Sequence, residues 1–320
     1  MRAFITGISG FAGGHLAEWL CAAGDRVAGA NRTGRWPHGT PESVRAAATL
    51  LAWDLGAGLT DETRRQVRDF GPEVVYHLGA LSVPADCGEQ EPTPRAWAVN
   101  VTGTSEVLEL VRSLPHRPRL VMVSSAHVYG AVPAEQPVVS EETPVAPQSA
   151  YARTKCAAEQ LVLAAIREGG VDGLVARAFK HAGPRQGERM MLAEWARQLV
   201  AGASPVVVRC LDSHLDLTDV RDVVRAYRLL AERGQTGMVY NVGSGRSVRT
   251  GDLFATLRRL ADSQAAVRET APGFRQEMIA DARRLTAATG WRPEIPLEQT
   301  LLDTLADWRR RESVPAIGAR

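Results

Sequence analysis

Five short apolar runs recur along the first half of the chain: Ala3-Phe4-Ile5, Val27-Ala28, Val74-Val75-Tyr76, Leu120-Val121-Met122-Val123 and Leu174-Val175-Ala176. Longer segments of helical spacing separate them, with Leu16, Leu20 and Ala23 striping one and Val107, Leu110 and Val111 another. A strand that is apolar throughout must be covered on both faces, and a helical crossover after each strand supplies that cover. The pattern predicts an α/β fold, a doubly wound parallel sheet with helices on both sides, over residues 1–178.

The second half is punctuated by Gly183-Pro184, Gly202, Pro205, Gly234, Gly237, Gly243, Gly245, Pro272, Gly290 and Pro293, with helical spacing over 220–232 and 250–263. This predicts a smaller α/β lobe built from 179–215 and 246–312, interleaved with the first because 216–245 returns to the large sheet. A ligand cleft is expected between the lobes, outside the carboxyl ends of the strands. The length of 320 residues fits about two domains. Arg309-Arg310-Arg311 and the tail 313–320 read as a solvated, frayed end.

Charge excludes some functions. With 38 Lys+Arg against 36 Asp+Glu, the net charge of +2 makes no field suited to nucleic acid, although a small anionic substrate is compatible with it. No apolar run approaches the ~20 residues of a membrane span, and Met1–Gly7 enters a strand directly, so no signal peptide is expected. Cys21, Cys87, Cys156 and Cys210 lack metal-ligand spacing and read as reduced thiols of a cytoplasmic protein. No metal site is expected.

Thr6-Gly7-Ile8-Ser9-Gly10-Phe11-Ala12-Gly13 follows the first strand and opens the first helix. Gly7 permits the tight turn, Gly10 lets the backbone approach a pyrophosphate, and Gly13 lets the helix pack closely, which is the Rossmann-type dinucleotide turn. After the second strand an NAD site usually carries an acid for the ribose hydroxyls. Here the sequence is Ala28-Gly29-Ala30-Asn31-Arg32-Thr33-Gly34-Arg35. Guanidinium groups suit a 2′-phosphate, so NADP(H) is favoured, with NAD the alternative if Arg32 and Arg35 are ordinary loop charges. Asp54-Leu55 reads either as an adenine contact or as surface.

Tyr151-Ala152-Arg153-Thr154-Lys155 places Tyr151 and Lys155 at i and i+4, on one helix face. A phenol of pKa ~10 needs ~4 kcal/mol to become a useful base near pH 7, and one cation ~4 Å away is of that size. Ser124-Ser125, closing a strand that should abut this helix, offers a hydroxyl for the substrate oxygen.

These segments, with His77–Ala80, Asn100–Thr104, Ser124–Gly130, Phe179–Pro184, Asp216–Val223, Tyr240–Gly245 and Thr289–Pro293, resemble the extended short-chain dehydrogenases/reductases of the sugar-nucleotide epimerase/dehydratase group. Within the group the chain is most similar to GDP-4-keto-6-deoxy-mannose reductases and GDP-mannose 4,6-dehydratases, through Thr218–Tyr227 and Phe179–Pro184. The resemblance implies Ser125, Tyr151 and Lys155 as catalytic residues, with Lys155 also binding the nicotinamide ribose and lowering the Tyr151 pKa. It implies a cofactor held by Gly7, Ser9, Gly10, Phe11, Ala12, Gly13, Asn31, Arg32, Arg35, Asp54, Leu55, Leu78, Gly79, Ala80, Asn100, Ser124, Tyr151, Lys155, Phe179 and His181. A nucleotide-sugar substrate would lie against Ser82, Ser125, Ala126, His127, Lys180, Arg189, Leu215 and Arg275. It also implies a homodimer through the helices near Asn100–Val111 and Tyr151–Ile166.

Three departures bear on the substrate. His127 stands where dehydratases carry an acid, Lys180 and Leu215 stand where the group has Asn and Arg, and Ala271 replaces an Arg before Pro272. Either Lys180, Arg209, His214 or Arg275 takes over the diphosphate, or the substrate is not an ordinary nucleotide sugar. The expectation is NADPH-dependent reduction of a 4-keto-6-deoxyhexose nucleotide. The alternatives are an epimerase, a dehydratase, an oxidoreductase of another small molecule, or a dinucleotide-binding protein with a silent site.

Overall fold

The computed structural model describes residues 1–313. β1 (Arg2–Thr6), α1 (Phe11–Ala22), β2 (Arg26–Asn31), α2 (Glu42–Ala47), β3 (Ala48–Ala52), α3 (Asp61–Phe70) and β4 (Val74–His77) open the chain. α4 (Pro94–Trp97), a π-helical turn at Ala98–Thr102, α5 (Gly103–Ser113), β5 (Arg119–Ser125), β6 (Val138–Val139), α6 (Ala150–Arg167) and β7 (Gly173–Ala178) follow. Next come β8 (Lys180–Ala182), α7 (Met191–Val200), β9 (Val206–Val208), β10 (Ser213–Asp219), α8 (Val220–Arg233) and β11 (Val239–Val242). The last elements are β12 (Ser247–Arg249), α9 (Thr250–Leu260), β13 (Val267–Glu269), β14 (Arg275–Gln276), β15 (Ile279–Ala280), α10 (Arg283–Thr289) and α11 (Leu297–Ser313).

Seven parallel strands form the main sheet in the order β11-β7-β5-β4-β1-β2-β3. Successive side chains of a strand point to opposite faces, and both faces are filled. Ala3, Ile5, Val74, Tyr76 and Val121 join one core with α1 and α8, whereas Phe4, Val75, Leu120 and Met122 join another with α5 and α6. Val220, Val223, Val224, Tyr227 and Leu230 are the buried stripe of α8. The sheet is therefore a parallel α/β sheet, as its unbroken apolar strands require. The order reverses at β1, between β2 and β4, the switch point where sheets of this kind open a ligand crevice beyond the carboxyl ends of their strands.

The chain leaves the main sheet at Phe179, and β8 pairs with β10, which also pairs with β12 and β14. Leu192, Trp195, Leu199, Phe254, Leu257, Leu305 and Trp308 pack a separate core among α7, α9 and α11. Residues 216–219 belong to β10 in this smaller sheet, so the return to the main sheet begins with α8 and not at 216. α10 is placed differently from expectation as well. Leu285 and Trp291 pack into the core of the main sheet, beside α8. The Arg309–Arg311 run lies within α11: Arg311 stacks over Trp308 at 4.5 Å and its Nη1 donates to the Gln186 carbonyl at 3.3 Å. The expected tail from 314 onward lies outside the described residues.

Candidate active site

Gly7 has φ +71°, and a Cβ there would come within 2.8 Å of the Gly79 backbone, so two glycine turns meet at the reversal point. α1 then begins at the N-cap Gly10 with no side chain on its free N–H groups, which leaves the positive end of the helix for an anion. Phe11 stacks parallel on His181 with ring centroids 5.9 Å apart, and His181 Nδ1 lies 2.9 Å from the Phe179 carbonyl. A groove of about 910 Å³ runs along Ser9–Phe11 between the loop 37–41 and Arg185, Arg310 and Arg311. The two α11 arginines at its wall were missed in the sequence. Their only signal there is the i+3 and i+4 spacing from Asp307, to which both are paired at 3.5 and 2.7 Å.

Asn31 builds the loop after β2. Its Nδ2 donates to Ser9 Oγ at 3.0 Å and to the Arg35 carbonyl at 2.8 Å, while its Oδ1 accepts from Thr33 N and Gly34 N at 3.0 and 2.7 Å. The side chains of Arg32 and Arg35 project from this loop, exposed, and have no carboxylate partner among the described residues. Asp54 is exposed, while Leu55 is half-buried and would meet a Cβ at Gly79 within 2.5 Å. Ala80 is half-buried beside Gly79, and Ser82 is exposed on the same loop.

Below the crevice His77 Nδ1 lies 2.7 Å from Thr6 Oγ1, and Nε2 lies 2.9 Å from Thr104 Oγ1. Thr104 donates its own proton to the Asn100 carbonyl, so Nε2 carries the imidazole proton and Thr6 donates to Nδ1. Asn100 links the loop to α6: Oδ1 accepts from Leu81 N at 2.7 Å, and Nδ2 donates to Thr154 Oγ1 at 2.9 Å. Thr154 in turn donates to the Tyr151 carbonyl at 2.8 Å.

Burial lowers His77 to about 3, and it lowers His15 to about 4, where Arg185 Nη2 donates to Nδ1 and Nε2 donates to the Pro184 carbonyl. A depressed pKa contributes stability above the unfolded value of 6.5, lost as pH falls toward the folded values. Unfolding free energy should therefore drop by about 2 kcal/mol per histidine between pH 7 and pH 5. Urea titrations of the protein and of its His15→Gln and His77→Gln variants test this; equal pH slopes in all three contradict it.

Ser149 caps α6 by accepting from Ala152 N at 3.2 Å, which sets Tyr151 in the first turn. The Tyr151 ring is buried among Leu81, Cys87, Ala96 and Ala150, with the His127 ring edge-on at 5.7 Å. Burial pushes the phenol up to about 12, opposed by a hydrogen bond with Ser125. Here the structure corrects the expectation: Lys155 does not acidify Tyr151. Its ammonium donates to the Val123 carbonyl at 2.6 Å, and burial lowers it to about 8. Ser125 Oγ also accepts from His127 N at 3.3 Å, and the buried Ser124 hydroxyl has no partner.

The expected substrate residues are only partly brought together. Ala126 is buried and begins the turn after β5, and His127 stands exposed at the rim. Lys180 is paired with Glu277, Arg189 is held by both oxygens of Asp86 at 2.9 and 3.0 Å, and Arg275 is exposed beside the Ala271 carbonyl. Leu215 is not a substrate residue. At 1% exposure it packs into the small-lobe core, because it sits on the inward face of β10. Cys87, beside Tyr151, is the other contact missing from the sequence reading; all four thiols are free.

These features suit a dinucleotide: an uncapped helix start behind a glycine cradle and, among the described residues, an orphaned Ser124 hydroxyl and two arginines without a carboxylate partner. Comparisons with known proteins agree. A family model described as "NAD dependent epimerase/dehydratase family" matches residues 3–243. GDP-6-deoxy-D-mannose reductase of Pseudomonas aeruginosa is 32% identical over 97% of this chain and 98% of its own. The structure of RMD from Pseudomonas aeruginosa complexed with NADPH matches with a TM-score of 0.81 at 30% identity, covering 97% of this chain and 99% of that one. Thermus thermophilus UDP-glucose 4-epimerase, complexed with NAD, matches with a TM-score of 0.84 at 26% identity over 98% and 100% of the two chains. The chain belongs to the NAD dependent epimerase/dehydratase family.

Proposed function

We propose that this protein is an NADPH-dependent reductase of a nucleotide-activated 4-keto-6-deoxyhexose, with Tyr151 as the general acid. The observation that carries the reading is the 32% identity, over nearly the whole chain, to a GDP-6-deoxy-D-mannose reductase, with Tyr151 and Lys155 on one buried face of α6. Reduction needs a proton donor at the start of the cycle, whereas an oxidative first step needs a base. Ser125 and Tyr151 would grip the carbonyl oxygen, and Tyr151 Oη would give it a proton. Lys155 would hold the nicotinamide ribose. A bound reduced nicotinamide supplies the hydride.

Supplying GDP-, UDP-, dTDP- and CDP-linked 4-keto sugars with NADPH or NADH, and following nicotinamide absorbance, tests the assignment. Stoichiometric oxidation of NADPH supports it. Turnover of a sugar nucleotide with no net change in cofactor would replace it with an epimerase.

Arg32 and Arg35 are the proposed 2′-phosphate grip. An Arg32→Ala/Arg35→Ala variant should raise the NADPH KM roughly 10- to 100-fold and leave the NADH KM nearly unchanged. Equal effects on both cofactors would remove these residues from the phosphate. We also place the enzyme in the cytoplasm as a homodimer pairing through α5 and α6, next to the exposed Leu161 and a surface depression of about 630 Å³. Sedimentation as a monomer at micromolar concentration rejects the dimer.

A further inference from the structure

Tyr151, Lys155 and Glu159 follow one another at four-residue steps on the buried face of α6. The first two have roles above; Glu159 has none. Its two carboxylate oxygens receive Arg177 Nε of β7 at 3.2 and 3.1 Å, and Nη2 donates as well. Arg177 is itself buried, in register with Ser124 across the β5–β7 pair, its guanidinium 4.7 Å from the Tyr129 ring centroid. Its Nη1 has no partner among the described residues. Lys155 donates to the carbonyl of Val123, next to Ser124. One buried carboxylate thus binds one buried cation and lies a single helical turn from a second, Lys155.

A buried ion pair is seldom the most stable filling for its space, so stability alone does not account for this one. The composition adds a second observation. Of the 38 basic residues only two are lysines, Lys155 and Lys180. Arginine cannot lose its proton in a protein, whereas lysine can, so position 155 holds a cation whose charge has to be maintained.

The other titratable groups around Lys155 are neutral near pH 7. Burial raises the Cys87 thiol after β4 and the phenols of Tyr151 and Tyr129, and it holds His77 of β4 at about 3. His127, in the turn after β5, is lowered by burial and by Lys180. Arg177 is bound to Glu159. Burial also depresses Lys155, and Glu159 is the first influence opposing that.

We propose that the Glu159–Arg177 pair is a positioning device for the active-site cation: the Glu159 carboxylate, shared between Arg177 and Lys155, keeps the lysine charged, and Arg177 limits how much of that anion Lys155 feels. This rests on the role given to Lys155 above, yet its test needs neither substrate nor cofactor.

With two lysines, protein labelled with 13Cε-lysine gives two resonances, and a Lys180→Arg variant assigns them. Glu159→Gln should move the Lys155 titration midpoint down by ~1 unit or more. Arg177→Met, which frees the carboxylate toward Lys155, should move it up. The alkaline limb of kcat/KM for any substrate turned over should follow each midpoint. If either single variant fails to fold, Glu159→Gln/Arg177→Met, which removes both charges, should still titrate below the wild type. Midpoints that stay put in the folded variants, or shift in the same direction in both single ones, overturn the proposal. Loss of activity in Tyr151→Phe bears on the reductase reading and leaves this titration unaffected.

Discussion

Tyr151→Phe should lower kcat by about 10³-fold while changing substrate KM little. The ring fills a pocket made by Leu81, Cys87, Ala96 and Ala150, and phenylalanine keeps all of that packing, so fold and binding survive. Only the proton donor is removed, and a positioned acid contributes ~10²–10⁴-fold. The phenol, pushed up to about 12, stays protonated around neutral pH, so the wild-type rate should show no alkaline limb from this group there. The measurement is kcat and KM for the substrate found in the sugar-nucleotide screen, with NADPH affinity measured separately by fluorescence. A variant that retains most of kcat places the acid elsewhere, with His127 at 5.7 Å the next group to examine.

What the sequence revealed and what it hid divide along a physical line. The sheet was legible because strands covered on both faces leave unbroken apolar runs, as in Val74-Val75-Tyr76, all buried within β4. The glycine turn was legible because φ +71° at Gly7 and the close approach at Gly13 demand the residue without a Cβ. Tyr151 and Lys155 were legible because helical spacing alone puts them on one face.

The direction of the Tyr151 shift was not legible. It depends on whether the Lys155 ammonium reaches the phenol or a strand carbonyl, and that is decided by how α6 lies on β5. Leu215 misled for a similar reason: an expected arginine had been replaced, but only the pairing of β10 with β8 and β12 shows that the position faces a core. Arg189 and Lys180 also read as free cations until Asp86 and Glu277 arrive from distant segments. Local periodicity survives in a sequence; the partner of a long polar side chain does not.

The Gly13 and Gly14 pair offers the sharpest stability contrast in the chain. Both lie in the first turn of α1, where alanine is intrinsically favoured over glycine by ~1 kcal/mol. A Cβ on Gly14 would sit 3.8 Å from the nearest atom, the Ile8 carbonyl oxygen, an ordinary contact. A Cβ on Gly13 would lie 2.1 Å from the Gly7 carbonyl oxygen and 2.9 Å from its carbon, both backbone atoms with no rotamer to yield. Gly14→Ala should therefore be neutral or slightly stabilising. Gly13→Ala must push α1 away from the β1 turn, at a cost of about 3 kcal/mol or more once overpacking and lost helix–sheet contact combine. The same displacement pulls the helix N-terminus off the crevice, so the thermal stabilisation given by NADPH should vanish in Gly13→Ala and persist in Gly14→Ala. Melting curves of the two variants with and without NADPH decide it: similar behaviour would mean that the tight α1–Gly7 contact is not what seats the dinucleotide.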